Sequence, residues 1–307
     1  MKNTHIEHPE DSILNGNLSV LDWFTANGNI TAKIDGSPAI VWGRNPATGK
    51  QFVGTKSVFN KVKIKINHSH EEIDRNHAGE VATILHRCLD YLPQTDGIFQ
   101  GDFIGFGGNL CYKPNTITYY FPEVVTQNII IAPHTYYISD KDLRDAIAYP
   151  LLFDSKTQSK WVQSDDDVLF ITPKVIINEQ RDDIKQRCDF ARQISTLCDF
   201  PSDKQVARLK KQLNTCIREG IDIDDLTQDA LADDNDIDVN VLRLWKLVWD
   251  IKLDMFLHIN RFDDLDCYIG EEMCGHEGYV LSNKFGLFKI INREGFSKAN
   301  FNVVRSN

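Results

Sequence analysis

The apolar residues of this 307-residue chain change their period along its length, and the changes divide it into stretches of different structure. The opening "HPEDSILNGNLSVLDWFTANG" predicts a short helix, a glycine-containing turn and a second helix ending at Gly28. From there to about residue 66 the pattern is strand-like. "ITAKI", "SPAIVWG", "KQFVGTK" and "KVKIKI" succeed one another with "NPATGK" as a turn, which implies an antiparallel sheet. Residues 69–91 suit a helix, with Val81, Leu85, Cys88 and Leu89 near helical spacing. Strands resume in "GIFQGDFIGFG", "TITYYF", "NIIIAPHTYYI" and "DVLFITPKVII".

After residue 178 the spacing becomes helical. Ile184, Cys188, Ala191 and Ile194 recur at three- and four-residue steps. So do Val206, Leu209, Leu213 and Cys216, and then Leu244, Val248, Ile251, Met255 and Ile259. This predicts a helical insertion over residues 179–262, with Trp245, Trp249 and Phe256 in its core. Strands return in "HEGYVLS" and "GLFKII", and "REGFSKANF" closes the chain as a short helical or irregular piece. The expected class is α+β.

Composition narrows the functional classes. With 42% hydrophobic and 10% aromatic residues the chain is too apolar for disorder, and no apolar run approaches the roughly 18 residues of a membrane span. The polar, acidic N-terminus lacks the basic start and apolar core of a signal peptide, so a cytoplasmic location without membrane association is expected. Seven cysteines without a framework spacing agree with a reducing compartment. "CYIGEEMCGH" brings Cys267, Cys274 and His276 close in sequence, but their spacing matches no common zinc-binding pattern. The net charge of −10 argues against non-specific coating of nucleic acid. Residues 222–238 alone hold eight aspartates and no basic residue, and removing those eight charges leaves −2 for the rest. That stretch reads as a solvated acidic loop. In "KVKIKI", period-two alternation predicts Lys61, Lys63 and Lys65 on one strand face, either a grip on phosphates or a lysine-protected edge.

The candidate chemistry starts at "KIDG". A lysine attacks phosphorus only as the free amine, and an ordinary lysine is about 99.9% protonated at neutral pH. A reactive one needs cations or desolvation around it, carboxylates for a metal, and a slot for a base. The chain supplies such groups in order: Lys33, Asp35 and Gly36; Lys56 in "TKS"; Asp102 in "QGDFIGFG"; an aromatic strand with Tyr119; Glu277 in "HEGYVL"; and Lys289 in "LFKII". Singly, Lys33 is a strand lysine and Asp35-Gly36 a turn. Only their joint order along the chain points to a nucleotide site.

That order resembles the covalent nucleotidyltransferase superfamily of ATP-dependent RNA and DNA ligases and mRNA capping enzymes, with "GDFIGFG" closest to the RNA-ligase branch. The wider run "KIDGSPAIVWG…FVGTKSVFNK…GIFQGDF…KPNTITYYF…EGYVL…FSKANF" is also similar to a family of large-phage and viral proteins of no stated activity. The first resemblance implies a ligase-type domain of two packed antiparallel sheets. Its core would comprise residues 1–178 and 263–307, interrupted by the helical insertion at 179–262. It further implies Lys33 as the nucleophile that forms lysyl-AMP from ATP with Mg²⁺ or Mn²⁺. AMP would pass to a nucleic-acid 5′-phosphate end, RNA rather than DNA.

By the same resemblance Asp35 would orient Lys33 or approach the ribose, and Gly36 would admit the nucleotide. Lys56 would meet phosphate or the incoming end. Asp102 would contact ribose or a metal-bound water, Glu277 would stand nearest the metal, and Lys289 would meet the α-phosphate. Tyr119 would lie under the purine. The departures are specific. Pro38 stands where DNA ligases carry an arginine, and Ile291 takes the place of a second closing lysine, a role open to Lys284 or Arg293. Only 18 residues come after Lys289, so no C-terminal OB domain is expected; either the helical insertion takes over its function, or the chain stops at self-nucleotidylation or acts with a protein partner. A capping-type guanylyltransferase and a catalytically silent nucleotide- or nucleic-acid-binding module are the alternative readings.

Overall fold

In the computed structural model, residues 6–151, 166–178 and 182–296 are described. Helices α1 (Pro9–Ile13) and α2 (Ser19–Thr25) come first, followed by strands β1 (Asn29–Lys33), β2 (Ala39–Arg44) and β3 (Gln51–Gly54). Helices α3 (His70–Asn76) and α4 (Gly79–Tyr91) lead into β4 (Ile98–Phe106), β5 (Cys111–Tyr112), β6 (Thr118–Tyr120), β7 (Ile129–Ile138), β8 (Ile147–Pro150), β9 (Val168–Phe170) and β10 (Lys174–Ile177). Then come α5 (Asp182–Ser195), α6 (Asp203–Glu219), α7 (Asp225–Asn235) and α8 (Val239–Leu257). The chain returns to strands in β11 (Ile259–Phe262), β12 (Asp266–Ile269), β13 (Glu272–Cys274), β14 (Gly278–Asn283) and β15 (Gly286–Ile290). The fold is mixed α and β; the pairs β2–β3, β2–β4, β4–β7, β7–β8, β5–β6, β6–β12, β12–β13, β10–β11 and β14–β15 run antiparallel, and β9 runs parallel to β7.

The chain divides into two compact units. The first comprises Lys33–Pro173 and Asp263–His276. Its larger sheet has the order β3-β2-β4-β7-β8, with β9 alongside β7, and a four-stranded sheet has the order β13-β12-β6-β5. The larger sheet is buried on both faces, as alternation along β2 shows. Ile40 and Trp42 join a core with Phe99, Ile131 and Leu85 of α4, while Val41 joins Phe52, Ile98 and Tyr137 on the other side. The helix expected over 69–91 is broken: α3 ends at Asn76, His77 and Ala78 are extended, and Gly79 turns at φ +61°.

The second unit contains residues 6–32, Lys174–Phe262 and 277–296. Its core joins Trp23 and Phe24 of α2 to Trp245, Val248 and Trp249 of α8 and to Leu281, Phe288 and Ile290 of the β14–β15 hairpin. The helices from α5 to α8 therefore share one core with the N-terminal helices and the closing strands, instead of packing only among themselves. The units change over at 173/174 and 262/263. The grouping of 6–32 and 277–296 with the helices is new. Residues 179–181, at the start of the expected insertion, and 297–301 of the closing "REGFSKANF" lie outside the described residues.

Two local expectations are corrected. The acidic stretch is mostly helix, because its aspartates sit where helix ends need them. Asp224 caps α7 by accepting from the Thr227 N–H at 2.9 Å, Asp236 closes it in the left-handed conformation at φ 51°, and Asp238 caps α8 through the Asn240 N–H at 2.9 Å. The capping bond from Thr227 also holds the Asp224 carboxyl below its ordinary pKa. "KVKIKI" is not a strand. Residues 61–63 run as bends and 64–66 form no regular structure, the following Asn67 bridges to Val53, and the Lys65 ammonium donates to the carbonyl of Asn76 (2.6 Å) at the C-terminus of α3. Lys61, Lys63 and Lys65 therefore share no strand face.

Candidate functional site

The segment after Lys33 is fastened at every residue. Strand β1 ends at Lys33, which is half-buried, and Ile34 is buried. The Asp35 carboxylate accepts from Asn115 Nδ2 (2.9 Å), from the Thr116 N–H (3.0 Å) and from the Ile117 N–H (3.3 Å). Tyr119 bonds to the same residue's backbone, accepting from the Asp35 N–H at 2.7 Å and donating to its carbonyl at 3.0 Å. With both oxygens bound and only 7% of the residue exposed, Asp35 anchors the loop and does not reach toward a ribose. Tyr119 is fully buried, so its ring has no open face for a purine, and its hydroxyl serves the same anchorage.

Gly36 lies against β4. A Cβ there would come within 2.8 Å of the Phe103 carbonyl oxygen and 2.9 Å of Asp102 Cβ, so only glycine lets the loop pass. The chain then runs beside the strand, with the Ser37 N–H donating to the Phe103 carbonyl and the Phe103 N–H to the Pro38 carbonyl, both at 3.0 Å. Ala39 enters β2 directly opposite Asp102. The structure thus brings "DG" and Asp102 together, although they are far apart in sequence.

Asp102 has a neighbour that sequence reading missed. Across the β4–β7 pair, Gln100 faces Thr135 but Gly101 faces Pro133, so His134 is the extra residue of a bulge. Its Nε2 lies 3.6 Å from Asp102 Oδ1 and 3.4 Å from Gln100 Nε2, and its Nδ1 lies 2.7 Å from Thr135 Oγ1. A proline within an otherwise central strand, Pro133, was the available signal for that bulge. Lys56 is exposed on a 3-10 turn, Lys56–Phe59, after β3. Because Gly54 faces Val41 and Ala39 faces Asp102, the register puts it at the end of the sheet where β2 begins.

Within the second unit, Glu277 and Lys289 sit on the closing hairpin. Sheet order is β1-β14-β15. Tyr279, Leu281, Phe288 and Ile290 enter the helical core, so Val280 and Lys289, which face each other, point away from it. The same alternation turns Ile30 and Ala32 of β1 toward the core and Lys33 to the opposite side. Glu277 is half-buried and precedes Gly278, where a Cβ would stand 2.4 Å from the Ile290 carbonyl oxygen, which explains the glycine. Ile291 is buried. Arg293 is not a substitute for the second closing lysine: it is buried and donates to Glu10 Oε1 and Asp11 Oδ1, each at 3.0 Å. Lys284 is exposed at the hairpin turn, with its ammonium 4.9 Å from the Phe285 ring.

Asp102 and Glu277 are hard oxygen donors of the kind Mg²⁺ takes. Among the described residues no three His, Cys, Asp or Glu side chains form a metal cage. Cys267 is engaged otherwise, with Sγ 3.2 Å from His276 Nδ1, whose Nε2 is 3.0 Å from Asp263 Oδ2.

No helix among the described residues is long and apolar enough to cross a membrane. Neither the curated proteins nor the solved structures contain a match to this chain. A family profile described as "Family of unknown function (DUF6267)" matches residues 3–233 and 222–305, and the chain belongs to that family.

Proposed function

We propose that the chain is a ligase-like nucleotidyltransferase in which Lys33 takes AMP from ATP and passes it to a nucleic-acid 5′-phosphate end, RNA rather than DNA. The Lys33 amine attacks the α-phosphorus, pyrophosphate leaves with its electron pair, and the amine gives up a proton as the phosphoramidate forms. A second attack, by a 5′-phosphate oxygen, returns the lysine and yields an adenylated end. A bound Mg²⁺ or Mn²⁺ supplies charge neutralisation on the phosphates.

One observation supports this reading above the others: the loop after Lys33 is held by Asn115, Thr116, Ile117 and Tyr119 and pressed onto β4 at Asp102. Catalysis by positioning requires a nucleophile on such a rigid mount. Asp102 is assigned to the ribose or a metal-bound water and Lys56 to phosphate. Glu277 and Lys289 are assigned to the metal and the α-phosphate from their order along the chain. Ile291 and Arg293, both buried, leave Lys289 as the basic residue of the closing strand.

The test is incubation with α-labelled ATP or GTP and Mg²⁺ or Mn²⁺. Label from ATP should remain on the denatured protein, resist alkali and be released by hot acid, as a P–N bond requires. Label from GTP alone would replace the reading by a capping-type one. Label from neither would leave a binding module. Adenylated protein chased with nicked RNA, nicked DNA or single strands identifies the acceptor.

A further inference from the structure

Cys267 and Cys274 face each other across the β12–β13 hairpin of the first unit, whose strands are joined by a two-residue turn at Gly270 and Glu271. Residues directly opposite in an antiparallel pair project to the same face of the sheet. Their Cα atoms are about 4.5 or 5.5 Å apart, according to the type of pair, and a disulfide spans about 4.4–6.8 Å. Both are thiols in this structure, Cys267 buried at 1% exposure and Cys274 half-buried. His276, two residues after Cys274, places its Nδ1 3.2 Å from Cys267 Sγ and its Nε2 3.0 Å from Asp263 Oδ2. An ionised carboxylate only accepts hydrogen bonds, so Asp263 fixes the ring proton on Nε2 and leaves the Nδ1 lone pair to the Cys267 thiol. A base in that position takes the thiol proton, and the thiolate is the form that attacks. The hairpin thus offers one thiol that solvent reaches and, opposite it, a buried thiol with its base in place.

We propose that Cys274 and Cys267 form a reversible oxidation site for peroxide, in which Cys274 meets the oxidant and Cys267, with His276 as its base, closes the disulfide. The Cys274 thiolate attacks one peroxide oxygen, the O–O bond breaks, and the departing hydroxide takes up the proton that Cys274 gave up. Sulfur has then passed two electrons to the peroxide and stands as the sulfenic acid. His276 Nδ1 next removes the Cys267 proton, and the Cys267 thiolate attacks Cys274 Sγ. The S–O bond breaks, and the hydroxide that leaves with the electron pair is neutralised to water by the proton His276 releases. Two thiols and one hydrogen peroxide give one disulfide and two waters, and a dithiol reductant restores the pair by exchange. Cys111 is no rival partner. It faces Tyr120 across β5–β6, whereas Cys267 faces Tyr119 across β6–β12, so alternation along β6 puts the two cysteines on opposite faces of the sheet.

The test is exposure of the fully reduced chain to hydrogen peroxide, followed by N-ethylmaleimide in denaturant, cleavage at glutamates without reductant, and mass spectrometry. Glu271 and Glu272 separate the two cysteines, so a disulfide holds two peptides together. Joined Cys267 and Cys274 peptides are expected from the wild type, parted by dithiothreitol. Cys267→Ser should stop at the Cys274 sulfenic acid, which dimedone labels. His276→Gln should keep dimedone labelling of Cys274 and slow disulfide closure about 100-fold or more. Cys274→Ser, a change of one atom at a half-buried position, should leave Cys267 reduced. Maleimide on both Cys267 and Cys274 after peroxide has oxidised Cys111 would overturn the assignment. So would either of the two joined to Cys111, or oxidation of Cys267 in the Cys274→Ser chain.

Discussion

The hydroxyl of Tyr119 ties together the two backbone polar groups of Asp35, accepting from its N–H at 2.7 Å and donating to its carbonyl at 3.0 Å. This single contact joins β6 to the loop after Lys33. Tyr119→Phe deletes it without changing shape, leaving a buried donor and acceptor unpaired. Stability should fall by about 1–3 kcal/mol, read from the urea midpoint, and nucleotidylation should fall further than binding of ATP.

Gly36 gives a second handle on the same loop. Gly36→Ala places a methyl 2.8 Å from the Phe103 carbonyl oxygen, a backbone atom that cannot turn aside. A cost of about 1–3 kcal/mol is expected, with loss of Lys33 labelling. Gly275→Ala, where the added methyl meets nothing within 4 Å, should be neutral in the same assay.

The second unit depends on a buried charge cluster. Lys252 is fully buried with its ammonium 2.6 Å from Glu10 Oε1 and 4.2 Å from the Trp249 ring, and Arg293 shares the same carboxylate. Burial pushes the Lys252 ammonium below its ordinary pKa, against the pull of Glu10. Lys252→Met leaves Glu10 short of one counter-charge and should cost about 3–5 kcal/mol. Adding Glu10→Gln should recover part of that loss. A double variant as unstable as the summed singles would show that the two residues do not act as a pair.

Burial raises the Cys188 thiol to about 12 and Cys198 to about 11. A raised folded-state pKa means that the unfolded chain ionises first. The contribution to stability is therefore complete below about pH 8.5 and is lost as pH climbs toward 12. Cys188→Ala should flatten the alkaline decline by up to about 1.4 kcal/mol per pH unit. At pH 8 the exposed Cys111 should be alkylated well before Cys88 or Cys188.

Local patterns in the sequence are enough to place most strands and helices, including the "KIDG" loop and the closing hairpin. The features that escape depend on non-local partners. The lysines of "KVKIKI" alternate as a strand would, yet residues 61–66 form no strand: the Lys65 ammonium donates to the Asn76 carbonyl, and the bridge to Val53 comes from the following Asn67. The aspartates of 222–238 look like a loop because a cap and a solvated acid have the same composition; Asp224 and Asp238 are set apart only by the helices they begin. Tyr119 reads as a base platform because an aromatic strand residue does not announce that its hydroxyl is tied to Asp35. His134 is hidden in an apolar strand until the register shift exposes it as a bulge. Arg293 carries no sign in sequence of its burial against Glu10 and Asp11.

Peptide mapping by mass spectrometry after incubation with ATP and Mg²⁺ puts the role of Lys33 to the sharpest test. A mass increase of one AMP is expected on the peptide that contains Lys33, absent from Lys33→Arg protein of unchanged circular dichroism. An unmodified Lys33 peptide under conditions where ATP binds, or AMP attached to another lysine, would contradict the proposed chemistry.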